Sequence, residues 1–174
     1  ILNTTDPSSY PLKAVLQHAL ALGNYLNGTS NKGSAWGFKL ESLSKLGATK
    51  TVDNSSTLLH YMCKLLEKDD ISTKLGEELA DLELAARTVW KDETSDLSAL
   101  KASLKQVETQ VKLDKIEAFT SSMGSFASDA AKTMEKLVAE HTEADEGCKA
   151  LKAWFGEDAK TEPEDLFSTL HQFV

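Results

Sequence analysis

The residues best placed to do chemistry lie between Leu20 and Tyr61. Here Gly23, Gly28, Gly33, Gly37 and Gly47 are interleaved with Tyr25, Trp36, Phe38 and the lysines Lys32, Lys39, Lys45 and Lys50. Glycine is costly inside a helix and cheap where φ must be positive or backbones must come close. A loop that combines glycines, aromatics and an ordered apolar exit is built to receive something, so its chemistry is that of binding. The plain alternative is a helix–helix connection with solvated lysines.

Bond-making chemistry has little to stand on. Gly23 to Ser30 (GNYLNGTS) has the glycine spacing of a phosphate loop, but Thr29 stands where the lysine belongs and the run follows a helical pattern, not a strand. His18, His60, His141 and His171 are scattered, with no H-x-x-x-H or H-E-x-x-H pair; His18 and His60 sit beside helical apolar positions and read as core-edge residues. The paired carboxylates Glu77-Glu78 and Glu157-Asp158 lie on charged faces and turns, where solvation accounts for them. Cys63 and Cys148, the two cysteines, offer no zinc spacing and no disulfide framework, which suits a reducing, intracellular setting. No nucleophile has an evident base. The expectation is a protein that is not an enzyme and needs no cofactor or metal.

A chain of 174 residues fits one domain, or two lobes, and is long enough to bury a core. Its net charge of −8 argues against a nonspecific nucleic-acid binder, which needs a positive face to displace counterions. No apolar run approaches a membrane span and no signal peptide is evident. The triplets at Asn3, Asn27 and Asn54 read as chance matches to a glycosylation motif. The abrupt start at Ile1-Leu2 reads as that of an excised fragment.

The elements that must position the glycine stretch are helical. Residues 1–11 are polar with two prolines and form a lead-in loop, with Ser8 or Ser9 as possible caps and Pro11 at a helix start. Leu12, Val15, Leu16, Ala19, Leu20 and Leu22 then follow helical spacing up to Gly23–Gly28. Phe38, Leu40, Leu43 and Leu46 make a short amphipathic segment closed by Gly47. Asp53 or Ser55 can cap the helix carrying Leu58, Leu59, Tyr61, Met62, Leu65 and Leu66, which Lys68-Asp69-Asp70 ends.

Beyond it, Leu75, Leu79, Leu82, Ala86 and Val89 alternate in steps of four and three. Leu97, Leu100, Leu104, Val107 and Val111 resume the stripe after the polar patch 91–96. Neither Gly nor Pro interrupts residues 77–123. Either the helix runs through the patch or a Thr94/Ser95 cap breaks it; the first predicts one helix of about 35 to 40 residues, about 55 Å long. Its coiled-coil partner is expected over 114–155, with Ile116, Phe119, Met123, Phe126, Ala130, Met134, Leu137, Val138 and His141 on one side. Trp36, Trp90 and Trp154 read as core or lobe-interface residues, with Trp90, beside the polar patch, the one candidate to face a partner. Strand signals are nearly absent. The expected fold is all-α and elongated: a post lobe over 1–72, coiled-coil helices over 73–154, and a C-terminal helix over 155–174 that returns to the post.

Several spaced motifs go beyond periodicity. Leu22-Gly23-Asn24-Tyr25-Leu26-Asn27, then Gly37-Phe38-Lys39-Leu40, Leu43, Lys45-Leu46, Thr49-Lys50, Asp53-Asn54 and Thr57-Leu58-Leu59-His60-Tyr61 closely resemble, in order and spacing, the core signature of the formin homology 2 domain. The tail, Phe155-Gly156-Glu157-Asp158 and Pro163-Glu164-Asp165-Leu166-Phe167, is similar to the family's closing motif. The resemblance runs from about residue 12 to the end. The chain departs from the family pattern after Asn27, where a second glycine and a longer basic insert are often found.

The resemblance implies an all-α actin assembly factor of the cytoplasmic actin cytoskeleton. Family members form a head-to-tail dimeric ring that nucleates filaments and stays on the barbed end; in it the lasso of one subunit wraps the post of the other. Gly23, Asn24, Tyr25, Asn27, Trp36, Gly37 and Phe38 would then form the lasso-receiving post. Lys50 matches the family's actin-contacting lysine, with Lys45 and Lys39 as weaker candidates. The implied partners are actin and a second formin subunit, with profilin–actin engaged only through a segment outside this chain, and neither nucleic acid nor membrane. Lasso, linker and most or all of the knob lie upstream of what is present, so the chain alone is expected to be monomeric or weakly self-associating. A coiled-coil scaffold without direct actin contact is the competing reading, and the charge of Lys50 separates the two.

Overall fold

The computed structural model describes residues 10–28, 30, 33–67 and 71–174, with the backbone alone at Ser72. The lead-in loop over 1–9, its candidate caps Ser8 and Ser9, Thr29, Lys32 and the stop at Lys68-Asp69-Asp70 fall outside these residues. The fold is all-α: α1 (Pro11–Asn27), a 3-10 turn (Leu40–Leu43), α2 (Ser44–Ala48), α3 (Leu58–Leu66), α4 (Ile71–Glu78), α5 (Leu82–Arg87), α6 (Trp90–Leu113), α7 (Glu117–Phe155) and α8 (Pro163–Phe173). Among the described residues, extended pairing is limited to one antiparallel bridge, Lys50 to Thr57.

The chain divides into two compact units, Ile1–Arg87 with Asp165–Val174, and Thr88–Glu164. Sequence periodicity drew its boundaries after residues 72 and 154. The observed ones lie further on because α4 and α5 belong with α1 and α3 instead of opening the coiled coil: α4 packs against α1 and α3, and Leu82 of α5 is buried.

The first unit holds nearly all of the buried apolar surface. Ala14, Val15 and Ala19 of α1 recur at helical spacing and meet Leu40, Leu43, Leu46, Met62, Leu66, Ile71, Leu166 and Leu170 in a dry core. Pro11 opens α1, where a missing N–H costs nothing. The Glu78 carboxylate accepts a 2.8 Å hydrogen bond from the Leu12 N–H, satisfying an orphan donor and placing negative charge at the helix N-terminus. The cap of α3 is Thr57, whose hydroxyl oxygen accepts from the His60 N–H at 3.3 Å. Asp53 and Ser55, the expected caps, lie too far upstream and order the preceding loop instead.

The second unit is a hairpin of α6 and α7. The single helix expected from residue 77 is three helices. The chain turns at 79–81, where the Asp81 carbonyl accepts from Ala85 N at 3.0 Å. It becomes extended again at Thr88-Val89, with Val89 at φ −79°, ψ 104°. Two adjacent β-branched residues lose χ1 freedom in a helix, and Asp92 and Glu93 in the first turn of α6 favour a helix start there. The polar patch around Thr94 and Ser95 does not break α6. The longest helix is α7, 39 residues, or about 58 Å. The expected coiled-coil partner is therefore there, beginning after the Asp114–Ile116 turn, in which Asp114 Oδ1 accepts from Ile116 N at 2.9 Å.

In this hairpin Leu97, Leu104, Val107 and Val111 on α6, and Met123, Ala130, Met134 and Val138 on α7, are half-buried. Ala127 is fully buried. At the far end of α7, Gly156 takes φ +69°, and the bonds Gly156 N to Ala153 O and Glu157 N to Lys152 O close the helix. This left-handed cap is a position where a side chain would be strained.

Candidate functional site

The candidate site is built on the last turns of α1 and the chain that follows it. Helical geometry sets Gly23, Asn24 and Asn27 within one turn of each other. The Asn24 side chain then decides where the loop goes. Its Oδ1 accepts from the Ala35 N–H at 2.7 Å and its Nδ2–H donates to the Ala35 carbonyl at 3.0 Å. A single carboxamide thus satisfies both backbone groups of one residue and ties residue 35 to α1, eleven positions away. Ser30 N donates to the Asn27 carbonyl at 2.9 Å, continuing the turn out of the helix.

This clamp opens a cleft of about 400 Å³ between the end of α1 and the 3-10 turn and α2. Gly23, Asn24, Asn27, Gly37, Phe38 and Lys45 all line it, together with Leu26, Ala35 and Leu43. Six of the residues singled out in the sequence therefore share one concavity, largely apolar with a few polar groups, as binding sites for extended ligands are. Tyr25 and Trp36 are outside the lining and are exposed, Trp36 completely. Trp36 is accordingly not a core residue, and Trp154 is also exposed, packed edge-on against Phe155.

Gly23 is informative. Among the described residues, a Cβ built there would meet no heavy atom of a packing neighbour within 4 Å, and the same holds at Gly37. Alanine is preferred to glycine inside a helix by about 1 kcal/mol, so the packing of the described residues gives no reason for glycine at residue 23.

The lysines divide. Lys45 is at the cleft, whereas Lys39 and Lys50 are exposed outside its lining. The ion pairs Arg87–Glu83, Lys132–Asp129 and Lys149–Asp145 all lie elsewhere. Lys50 begins an ordered loop between α2 and α3. Its base is closed by the Lys50–Thr57 bridge and by Leu58 N donating to Thr49 O at 2.8 Å. Asp53 was read only as a possible cap, yet it accepts from the Thr51 hydroxyl at 2.5 Å, the Ser55 hydroxyl at 2.6 Å and Ser55 N at 3.2 Å. These bonds, Ser55's hydroxyl first, hold its carboxyl at about 2. The sequence signal was the T-x-D-x-S spacing, in which short polar side chains bond their own backbone.

Trp90 faces its own hairpin. Its ring stacks on His141 with centroids 4.6 Å apart, and its Nε1–H donates to Asp145 Oδ1 at 3.3 Å. Among the described residues no group of three or more His, Cys, Asp or Glu is placed to hold a metal ion, and no helix is long and apolar enough to cross a membrane.

Residues 7–174 match the family described as Formin Homology 2 Domain. The chain is 35% identical over 173 residues to Formin-like protein 6 of Oryza sativa subsp. japonica, covering 95% of this chain and 13% of that protein. It is 36% identical over 178 residues to Disheveled-associated activator of morphogenesis 1 of Mus musculus, covering 95% and 16%. Against Formin-A of Dictyostelium discoideum the identity is 26% over 174 residues, covering 95% and 14%. The chain spans 13% to 16% of the length of these relatives. The match covers the clamp, the cleft, the hairpin and the closing turn in one order: the chain belongs to the Formin Homology 2 Domain family.

Proposed function

We propose that this chain is the post and part of the coiled coil of an actin assembly factor, acting by binding and templating. In the complete protein it contributes to filament nucleation and to association with barbed ends as a head-to-tail dimer. The cleft beside Asn24 is the surface that receives the partner subunit's lasso, with Gly23 and Gly37 leaving room for its backbone and Tyr25 and Trp36 flanking it. Lys50, with Lys45 and Lys39, meets the acidic surface of actin, a local complement on a chain of net charge −8. The place of work is the cytoplasmic actin cytoskeleton. Profilin–actin would be engaged by a different segment.

One observation carries the reading. The Asn24 carboxamide both donates to and accepts from the Ala35 backbone, and the cleft beside it is lined by two glycines that no other described residue crowds. A connector between helices needs neither feature. Seeded elongation of actin filament barbed ends tests the actin half of the proposal. The chain is expected to slow elongation, and Lys50→Ala to relieve the effect. An equal effect of both proteins would remove Lys50 from the contact, and no effect of either would count against actin binding by this chain.

A further inference from the structure

The loop that carries Lys50 is ordered by a group that the proposed function does not use. Residues 51–56 are polar except for Val52, and all are exposed or half-exposed, Val52 completely. With so little of it buried, such a segment would ordinarily sample many conformations, which are lost on binding. Here its shape is over-determined. Thr51 N donates to Ser56 O at 3.0 Å and Asn54 N to Thr51 O at 2.9 Å, while Asn54 takes φ 56° in the left-handed region that asparagine tolerates.

The centre of the arrangement is Asp53. Thr51 has one hydroxyl proton, and at 2.5 Å it goes to Asp53 Oδ1; the same Thr51 oxygen is then free to accept from Ser56 N at 3.2 Å. Asp53 Oδ2 takes the Ser55 hydroxyl on the other side. One carboxylate therefore joins both limbs of the turn above the Lys50–Thr57 bridge. Remove it, and Thr51 and Ser55 lose their shared acceptor, leaving the limbs held by backbone bonds and by the contact of the Thr51 hydroxyl with the Ser56 backbone.

We infer that Asp53 is a positioning residue: it holds the 50–56 loop in one shape, so that Lys50 and the adjoining Val52 are presented to an acidic protein surface without a further ordering cost. This rests on the reading of Lys50 as an actin contact. The role is one of geometry and not of charge, since a carboxylate three residues from Lys50 would otherwise oppose an acidic partner. The lowered pKa of Asp53 agrees, because a carboxylate bonded by three donors stays ionised well into acid.

The test uses Asp53→Ala, Asp53→Asn, Lys50→Ala and the double variant Asp53→Ala/Lys50→Ala in two measurements. Amide hydrogen exchange reads the loop with no partner present. Asp53→Ala should speed exchange at Asn54 to Thr57 while the thermal midpoint stays put. Asp53→Asn keeps an acceptor for Thr51 and offers Nδ2–H to the Ser55 oxygen, so it should restore protection. Unchanged exchange in Asp53→Ala overturns the inference regardless of actin.

Seeded barbed-end elongation reads the contact. Asp53→Ala should raise the half-inhibitory concentration about three- to tenfold, the scale of a lost preorganisation. The double variant should match Lys50→Ala within about twofold, because a residue acting through another is not additive with it. Additive losses, a failure of Asp53→Asn to rescue, or a loss in Lys50→Ala alone would each overturn the positioning role while leaving the actin reading intact. A wild-type chain inert toward seeds overturns the actin reading and this inference with it.

Discussion

The indole of Trp90 lies nearly parallel to the imidazole of His141, ring centroids 4.6 Å apart and planes inclined by 16°. Thr94 adds a hydroxyl 3.0 Å from His141 Nε2. Its single proton is directed to the Trp90 carbonyl at 2.9 Å, so the hydroxyl oxygen accepts from His141 Nε2–H. One turn of α6 and one turn of α7 are thereby keyed together, in a hairpin whose apolar stripe is half-buried. A double-mutant cycle of Trp90→Ala and His141→Ala, followed by urea unfolding, should give a coupling of about 1 kcal/mol, the scale of an aromatic pair. A coupling indistinguishable from zero would mean that the stack follows from the hairpin's packing without contributing to it.

The same cluster predicts a response to acid. The Asp145 carboxyl is held below its ordinary range, chiefly by the Lys149 hydrogen bond at 2.5 Å, with the charge of Lys149, the Trp90 indole N–H and His141 adding to it. A depressed pKa gives a contribution that is full above the unfolded value, about 3.9 for aspartate, and is lost as pH falls below it. With Trp36 and Trp154 replaced by phenylalanine, Trp90 fluorescence should change as pH falls below about 4. Asp145→Ala should abolish that transition.

Gly23→Ala separates stability from binding. The site is inside α1 and no described residue crowds it, so alanine should stabilise the chain by about 0.5–1 kcal/mol and raise its thermal midpoint. If the cleft receives a second subunit's lasso, the same methyl should weaken head-to-tail dimerisation of the complete domain, measured by analytical ultracentrifugation. Stabilisation with unimpaired dimerisation would place the lasso elsewhere.

Met62 is 1% exposed at the centre of the first unit. Met62→Ala should cost about 3 kcal/mol, within the range for large-to-small core substitutions, as seen in the midpoint of urea unfolding. Tyr61→Ala, one residue away on the exposed face of α3, should cost much less.

What was legible in the sequence were the features with local causes. Pro11 and Pro163 start helices because their fixed φ suits the first turn, and Gly156 ends α7 because a left-handed residue is needed there. The stripes of α1, α3 and α7 were readable because apolar residues repeat at helical spacing, and the cleft residues through the resemblance of Leu22–Asn27 and Gly37–Leu40 to the family signature.

Other features needed the tertiary structure, since their causes are distant in the chain. Apolar residues at helical spacing recur from Leu75 to Val111 through α4, α5 and α6, interrupted by the polar patch 91–96. The break at 88–89 falls where the chain passes from one unit, in which Leu82 is buried, to the other, in which Leu97 and Leu104 are half-buried, whereas the turn at 79–81 lies within the first unit. Periodicity cannot tell one core from two. Likewise Asn24 was recognisable as part of a motif, but its bond to Ala35 depends on where a glycine-rich loop turns back. Asp53 became an anchor instead of a cap because Thr57 was nearer to α3. Each of these was a choice between two acceptable local partners, and only the folded chain, by satisfying one and excluding the other, decided it.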